Sequence, residues 1–218
     1  MTQNVWDDVD TYISGLLVGP DKALDDALAA SDAGGLPQIA VAPNQGKMLN
    51  LIARIHGARR ILEIGTLAGY STIWLARALP ADGELITLEY DPHHAEVATA
   101  NIAAAGLADR VEVKVGAALD TLPTIEGTFD LFFIDADKVN NPNYVAWALD
   151  HSRPGTVIIV DNVVRGGMVI DADSTDPAIV GTRMLGALLA NEPRVSATMI
   201  QTVGSKGYDG FALILVER

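Results

Sequence analysis

The order of hydrophobic and polar positions changes character near residue 57 of this chain. Before that point, apolar residues recur at the spacing of an α-helix, interrupted by a Gly- and Pro-containing loop. The pattern predicts three helices within residues 1–56. They are Val5–Val18, Lys22–Ala30 and, after the loop Asp32–Pro43, a third helix that ends near His56.

After residue 57, short apolar runs alternate with helical patterns, which is typical of right-handed crossovers and a mainly parallel sheet. The predicted strands are Arg60–Ile64, Glu84–Glu89, Arg110–Val115, Phe129–Ile134 and Thr156–Val160. The predicted helices are Ser71–Leu79, Pro92–Ala105, Ala118–Leu122, Pro142–Asp150 and Asp176–Asn191. Two last apolar runs flank the loop GSKG and predict an antiparallel hairpin, Val195–Val203 with Tyr208–Val216. The whole pattern predicts the α/β class, with a Rossmann-like, mainly parallel sheet of seven strands that ends in the hairpin and carries helices on both faces.

Composition limits the partners of the chain. Its 218 residues, 49% hydrophobic and 20% charged, suit one domain, 1–218, with 1–56 as an N-terminal helical segment and 57–218 as the core. The formal net charge is −13 and the only adjacent basic pair is Arg59–Arg60, which disfavours nucleic acid, with a local basic groove as the alternative. The acidic N-terminus, the lack of cysteine and the lack of a membrane-length apolar run favour the cytoplasm and no membrane partner.

The most informative motif is the turn after the first predicted strand, ILEIGTLAGYS. Glu63, Gly65 and Gly69 give the spacing E-x-G-x-x-x-G, and a helix follows at once. Glycine lets a ligand approach the backbone, and the helix N-terminus offers free N–H groups. A nicotinamide dehydrogenase is disfavoured, because its fingerprint G-x-G-x-x-G seats a pyrophosphate. The turn suits an amino group, a carboxylate and an adenosine, as in S-adenosylmethionine; an ordinary tight turn is the alternative.

The second predicted strand ends at Glu89. Ligands of open α/β sheets bind beyond the carboxyl ends of the strands. A carboxylate at this place can accept hydrogen bonds from both ribose hydroxyls of an adenosine, in nicotinamide and S-adenosylmethionine binders alike. Glu89 therefore supports an adenosyl cofactor, with a solvated charge at a strand end as the alternative.

Oxygen donors follow the fourth and fifth predicted strands. Asp135 directly follows the fourth strand, and Asp161 and Asn162 directly follow the fifth. These three side chains converge if the two strands are neighbours in the sheet. Carboxylate and amide oxygens without His or Cys favour Mg²⁺, Mn²⁺ or Ca²⁺ over zinc, and three protein ligands leave room for water and substrate oxygens. For each aspartate alone, a turn or a helix cap is an equal alternative.

Lys138 lies three residues after Asp135. A phenol has a pKa near 10 and is mostly protonated at neutral pH, so it must lose a proton before it attacks a methyl sulfonium. A bound dication lowers the pKa of a coordinated oxygen, and a nearby lysine can take the proton. The alternative is a surface lysine without a role in chemistry.

The ordered motifs ILEIGTLAGYS, LEYDP, FIDADK and VDNVVRGG resemble the cation-dependent catechol and caffeoyl-coenzyme-A type O-methyltransferases, in particular their small bacterial members. The resemblance covers about Val41 to the C-terminus and implies the class I methyltransferase fold and a homodimer. It also implies metal ligation by Asp135, Asp161 and Asn162, with Lys138 as the catalytic residue near the reacting hydroxyl. The cofactor contacts that it implies are Val41, Glu63, Gly65, Thr66, Gly69, Tyr70, Ser71, Glu89, Ala118 and Asp135.

Two positions depart from the family pattern. Asn141 stands where the family often has tyrosine, and Asp137 stands where catechol-type members have tryptophan. These differences affect the aromatic contact with the substrate ring. Residues 163–175, with Gly166–Gly167, are interpreted as a substrate lid or a passive loop, and Trp6 as a contact with a partner subunit.

The sequence thus predicts an enzyme that moves a methyl group from S-adenosylmethionine to one hydroxyl of a vicinal diphenol, a small-molecule phenolic substrate, with Mg²⁺ as the favoured metal. One alternative is a nucleic-acid methyltransferase, which often has an Asn/Asp-Pro-Pro-aromatic motif where this chain has DADK. The other is a non-catalytic S-adenosylmethionine-binding protein.

Overall fold

A computed structural model describes residues 2–218. Three helices come first: α1 (Gln3–Leu17), α2 (Lys22–Ala33) and α3 (Pro43–His56). The strands that follow are β1 (Arg60–Ile64), β2 (Glu84–Glu89), β3 (Val111–Val115), β4 (Leu131–Ile134), β5 (Val157–Asp161), β6 (Val195–Gly204) and β7 (Gly207–Val216). The helices among them are α4 (Tyr70–Ala76), α5 (Pro92–Ala104), α6 (Ala118–Thr121), α7 (Asn141–Asp150) and α8 (Pro177–Asn191). Short 3-10 turns cover Leu122–Thr124, Lys138–Asn140 and Arg165–Ile170.

One sheet contains all seven strands in the order β3-β2-β1-β4-β5-β7-β6. The first five pair in parallel, and β7 pairs antiparallel with both β5 and β6. The Rossmann-like fold with a terminal hairpin, predicted from the alternation of elements, is confirmed. The strand order reverses between β1 and β4, and this switch point is where open α/β sheets bind ligands.

The core lies on both faces of the sheet because β1 and β4 are apolar at consecutive positions. Ile61 and Phe133 face one buried cluster, and Leu62 and Phe132 face the other. Strands that are covered on both faces read as continuous apolar runs, as parallel sheets require. Burial of each such side chain contributes about 1.5–3 kcal/mol.

Element boundaries differ from the predicted ones by a few residues at most. Helix α4 ends at Ala76 instead of Leu79, before the Pro80 turn. Strand β4 begins at Leu131, because the carboxylate of Asp130 accepts hydrogen bonds from the backbone N–H groups of Arg59 and Arg60 beside β1. The loop GSKG narrows to a two-residue turn, since both of its glycines belong to the paired strands.

Helix α1 buries none of its side chains, although it is amphipathic. Val5, Val9, Tyr12 and Leu16 lie one or two turns apart on it, and all four are exposed. We call these four residues the α1 stripe. No helix within residues 2–218 combines the length and the apolar character needed to cross a membrane.

Candidate active site

The turn after β1 packs directly against the end of β4 at the switch point. Gly65 has a φ of 100°, and a Cβ added to it would lie 2.1 Å from the carbonyl oxygen of Asp135. Only glycine fits there without displacing the β4 end. This close approach places the glycine turn and Asp135, which follows β4, in one crevice.

Glu63 lies beneath this turn and is fully buried. Its carboxylate accepts hydrogen bonds from Ser71 Oγ at 2.6 Å, from Thr87 Oγ1 at 2.7 Å and from Thr72 Oγ1. Burial raises the pKa of Glu63 to about 7, against the opposing effect of the three hydroxyl donors. Glu63 therefore anchors the first turn of α4 to β1 and β2 from below, with its carboxylate closed off from solvent.

Glu89, at the end of β2, organises the same turn from the side. One carboxylate oxygen accepts hydrogen bonds from the backbone N–H groups of Thr66 at 3.1 Å and Leu67 at 2.7 Å. The other accepts from Asp91 N at 3.0 Å. Leu67 has a positive φ of 50°, a conformation that costs a non-glycine residue energy and that these bonds help to hold.

The remaining predicted cofactor residues surround the turn at several depths. Gly69, with a φ of 83°, donates its N–H to Thr66 O at 2.8 Å, which closes the turn before α4. Tyr70 begins α4, is buried, and lines a second cavity with residues of α1 and α2. Two more stand apart from the turn: Val41 is buried in the loop before α3, and Ala118 begins α6 half-buried.

The predicted metal ligands stand at the ends of adjacent strands. Ile134 of β4 pairs with Val160 of β5, so Asp135 and Asp161 follow at neighbouring positions. Asn162 comes next in a left-handed backbone conformation, φ 61°, which asparagine tolerates better than most residues. The condition for these three side chains to converge, that β4 and β5 are neighbours, is therefore met.

The charged side chains of this cluster have different surroundings. Burial first, and the negative charge of Asp135 second, raise the pKa of the Asp161 carboxyl to about 7. Lys138 is 9% exposed, and its Nζ lies 2.7 Å from Asp135 Oδ1. The lysine is thus held at the crevice by a carboxylate, unlike an ordinary surface lysine.

The two positions that depart from the family pattern have different surroundings. The carboxylate of Asp137 accepts hydrogen bonds from Asn140 Nδ2 at 2.6 Å and from Tyr144 OH. Burial, and then the hydrogen bond to Asp137, raise the pKa of Tyr144 above its ordinary value. Asn141 is fully buried, and neither polar atom of its side chain has a hydrogen-bond partner.

A cavity of about 270 Å³ opens beside Asp161 and Asn162. Its walls come from α1, the start of α3 and the β6–β7 hairpin, and Phe211 and Met48 contribute apolar surface. Gln45 of α3 donates a hydrogen bond from Nε2 to Asp161 Oδ2 at 2.6 Å. This cavity borders the strand-end cluster on the side away from β2.

Residues 163–175 are attached to neighbouring elements. The N–H groups of Val164 and Arg165 donate to Asp209 Oδ1 of β7, both at 2.9 Å, and Arg183 of α8 donates to Val169 O at 2.8 Å. The role of this segment as a lid stays a prediction.

Sequence reasoning did not identify Gln45 or Thr87. Thr87 gave a signal, since it is a polar residue inside the apolar strand LITLE and pairs in register with Glu63. Gln45 gave none, because it lies 116 residues from Asp161 in an ordinary helical pattern.

The donor set at the ends of β4 and β5 fits a hard divalent cation. Two mutually repelling carboxylates and one amide oxygen are the ligand types that Mg²⁺ accepts. Within the described part of the chain, no three His, Cys, Asp or Glu side chains group closely enough to hold an ion. A glycine turn after β1 and acidic residues at the end of β2 and directly after β4 fit a Rossmann-like methyltransferase.

Comparisons with known proteins refine this class. The O-methyltransferase family model matches residues 22–215, and the chain belongs to that family. It is 58% identical over 210 residues to a catechol O-methyltransferase of Mycobacterium tuberculosis, covering 96% of this chain and 95% of that one. A catechol O-methyltransferase of Niastella koreensis is 52% identical over 221 residues, with both chains fully covered.

A solved structure gives the same result in three dimensions. The O-methyltransferase from Bacillus cereus in complex with SAH is 54% identical and superimposes with a TM-score of 0.98, over 99% of this chain and 100% of that one. The chain is therefore an S-adenosylmethionine-dependent enzyme that methylates oxygen.

Proposed function

We propose that this enzyme transfers a methyl group from S-adenosylmethionine to one hydroxyl of a vicinal diphenol and needs a divalent metal to do so. The observation that carries the proposal is a group of four side chains between the glycine turn and the cavity beside Asp161: Asp135, Asp161, Asn162 and Lys138. We call this cavity the acceptor cavity, because we propose that it holds the methyl acceptor. The printed names of the two catechol O-methyltransferase relatives support the same acceptor class.

Asp135, Asp161 and Asn162 would hold the metal, with Mg²⁺ favoured and Mn²⁺ or Ca²⁺ as alternatives. When bound, a dication supplies Lewis acidity that lowers the pKa of a coordinated hydroxyl and fixes two vicinal oxygens together. A diphenol with separated hydroxyls offers one such oxygen, which explains the proposed preference for vicinal ones.

Lys138 is the proposed catalytic residue. Its Nζ is held 2.7 Å from Asp135 Oδ1, at the edge where the attacking hydroxyl would stand. Lys138 Nζ would accept the proton of that hydroxyl while the oxygen bonds to the methyl carbon and the bond from this carbon to the sulfonium sulfur breaks, which releases S-adenosylhomocysteine. The apolar surface of Met48 and Phe211 would orient the ring in the acceptor cavity, and alignment of the reactants accounts for much of the acceleration in such transfers.

The proposed cofactor site follows the turn between β1 and α4. Gly65, Thr66, Gly69 and Ser71 would present backbone and hydroxyl groups to the amino acid part of the cofactor. Glu89 would accept from the ribose hydroxyls, and Asp135 would face the reacting end. Val41, Tyr70 and Ala118 would give apolar contacts, and Glu63 would support the turn from beneath.

Acceptor geometry and metal dependence can be tested together. We expect catechol to be mono-methylated in the presence of Mg²⁺, and resorcinol and hydroquinone to react at least 100-fold more slowly, with products measured by mass spectrometry. Excess EDTA should abolish turnover, and added Mg²⁺ should restore it. Calorimetry should give an unchanged affinity for S-adenosylhomocysteine in EDTA, because the cofactor site does not need the metal. Full turnover in EDTA, or equal rates for the three isomers, would contradict the proposal.

We also propose that the enzyme is a cytoplasmic homodimer without a nucleic-acid or membrane partner. The α1 stripe is apolar, exposed and uncharged on a chain of net charge −13. Two copies of one helix stripe can pack against each other across a two-fold axis, because such an interface pairs a patch with itself. A second copy of this chain is therefore the proposed occupant of the stripe.

A further inference from the structure

The start of α3 reaches the end of β5 through one side chain. Gln45 Nε2 donates to Asp161 Oδ2 at 2.6 Å, and the other oxygen of Asp161 accepts from Asn162 N at 2.9 Å. Each carboxylate oxygen therefore keeps a lone pair for another partner. The amide of Gln45 is neutral, so it fixes the orientation of the carboxylate without neutralising its charge.

Gln45 is itself held in place from two sides. Its backbone N–H donates to Asn44 Oδ1 at 2.9 Å, and Asn44 Nδ2 donates to Asp10 Oδ1 of α1 at 2.8 Å. On the other side, Gly46 touches α4 so closely that an added Cβ would lie 2.3 Å from Trp74 Cδ1. The start of α3 is thus packed closely against α4, and its side-chain hydrogen bonds tie it to α1, so Gln45 extends from a well-supported part of the helix.

We propose that Gln45 is a positioning residue that orients Asp161 for metal binding. The inference rests on the proposed function, because it treats Asp161 as a metal ligand. Hydrogen bonds to ligating carboxylates hold the ligands in their binding orientation, and their loss typically weakens metal affinity 10- to 100-fold. The N-terminal helical segment thereby contributes to a site whose ligands all come from the core.

The test measures Mn²⁺ binding by electron paramagnetic resonance on the full chain. Gln45→Met keeps the length of the side chain and removes the donor, so we expect Mn²⁺ affinity to fall about tenfold or more. Gln45→Asn, whose amide is one methylene too short to reach, should give a similar loss. The matched control Gln38→Met makes the same exchange in the loop before α3, where Gln38 Nε2 donates to Leu36 O at 3.3 Å, and it should leave Mn²⁺ affinity within about twofold.

Further readouts separate positioning from a general loss of structure. S-adenosylhomocysteine affinity without metal should stay within about twofold for Gln45→Met, and kcat should recover at saturating Mn²⁺. Unchanged Mn²⁺ affinity, or an equal loss of both affinities, would overturn the inference and leave the proposed function intact. A wild-type enzyme that binds no Mn²⁺ would overturn both.

Discussion

Carboxylates at this sheet edge differ in the donors around them, and the donors determine what each side chain can do. Glu63 accepts from three hydroxyls, Glu89 accepts from backbone N–H groups, and Asp135 accepts from the side-chain nitrogen of Lys138. Asp161 accepts from a neutral amide. The two glutamates thus shape the turn, and the two aspartates keep capacity for further ligands.

The first residue-scale prediction concerns the proposed base. Lys138→Met keeps the aliphatic stem and removes the proton acceptor, so kcat for catechol should fall roughly 10²- to 10⁴-fold. KM should change by less than about threefold, because the ring contacts come from other residues. Steady-state kinetics measure both, with Lys22→Met on exposed α2 as the control. A variant that loses binding but keeps kcat would contradict the role of base.

The second residue-scale prediction concerns the buried carboxyl of Glu63. The folded enzyme holds its proton up to a pKa of about 7, and the unfolded chain releases it near 4.5. Folding therefore binds a proton between these values, and stability should decrease as pH rises through this window. Between these two pKa values, the free energy of unfolding of the wild type should fall by up to about 1.4 kcal/mol per pH unit relative to that of Glu63→Gln, whose amide does not titrate.

Urea unfolding of the wild type and of Glu63→Gln at pH 5, 6 and 7 measures this slope. Parallel pH dependences of the two proteins would show that Glu63 does not titrate in this window. Below and above this pH window, the difference in free energy of unfolding between the two proteins should not change with pH, because residue 63 then has the same charge in the folded and the unfolded state.

At the scale of elements, strands were predictable wherever apolar runs end in acidic or glycine residues. The β4 and β5 ends were found in this way, and adjacency of the two strands followed only from the structure. Contacts between elements distant in sequence gave no local signal. Gly181 of α8 is an example, since a Cβ there would lie 2.4 Å from Lys138 O.

An alanine substitution at that contact should displace the 3-10 turn that carries Lys138. Gly181→Ala should cost about 1–3 kcal/mol of stability and lower kcat about 10- to 100-fold, because the base moves. Gly186→Ala on the same helix is the control. Its Cβ would lie 3.6 Å from Met199 Cε, an ordinary contact, so stability should be equal or up to about 1 kcal/mol higher and kcat unchanged. Thermal unfolding and steady-state rates test both, and a fully active Gly181→Ala enzyme would contradict the expected displacement.

At the scale of the whole molecule, the sequence was sufficient to predict the fold class and the residues at the strand ends. The alternation of strand and helix patterns indicates a mainly parallel sheet and shows where each strand ends. It was insufficient for the acceptor cavity, whose walls come from three separate parts of the chain. The side chains that line such a cavity are brought together by tertiary contacts, such as that of Gln45 with Asp161, and the spacing of residues in the sequence does not reveal these contacts.

The α1 stripe makes a prediction about assembly. The double variant Tyr12→Glu/Leu16→Glu places two negative charges in the α1 stripe. The molar mass measured by light scattering after gel filtration should fall from twice the mass of one chain to the mass of one chain. Met184→Glu, an exposed apolar position on α8, is the control and should leave the dimer intact. A wild-type protein of single-chain mass at micromolar concentration would contradict the proposed dimer.

The bonds between α1 and the hairpin also bear on the order in which the enzyme is completed during translation. Gln3 Nε2 donates to Gly204 O at 2.9 Å, and Ser205 N donates to Asp10 Oδ2 at 2.7 Å. Strands β1, β2 and β4, which surround the glycine turn, are synthesised more than sixty residues before Ser205. The ribosome has thus already synthesised the glycine turn and the β4 end of a nascent chain at a stage when the cavity beside Asp161 still lacks one of its walls.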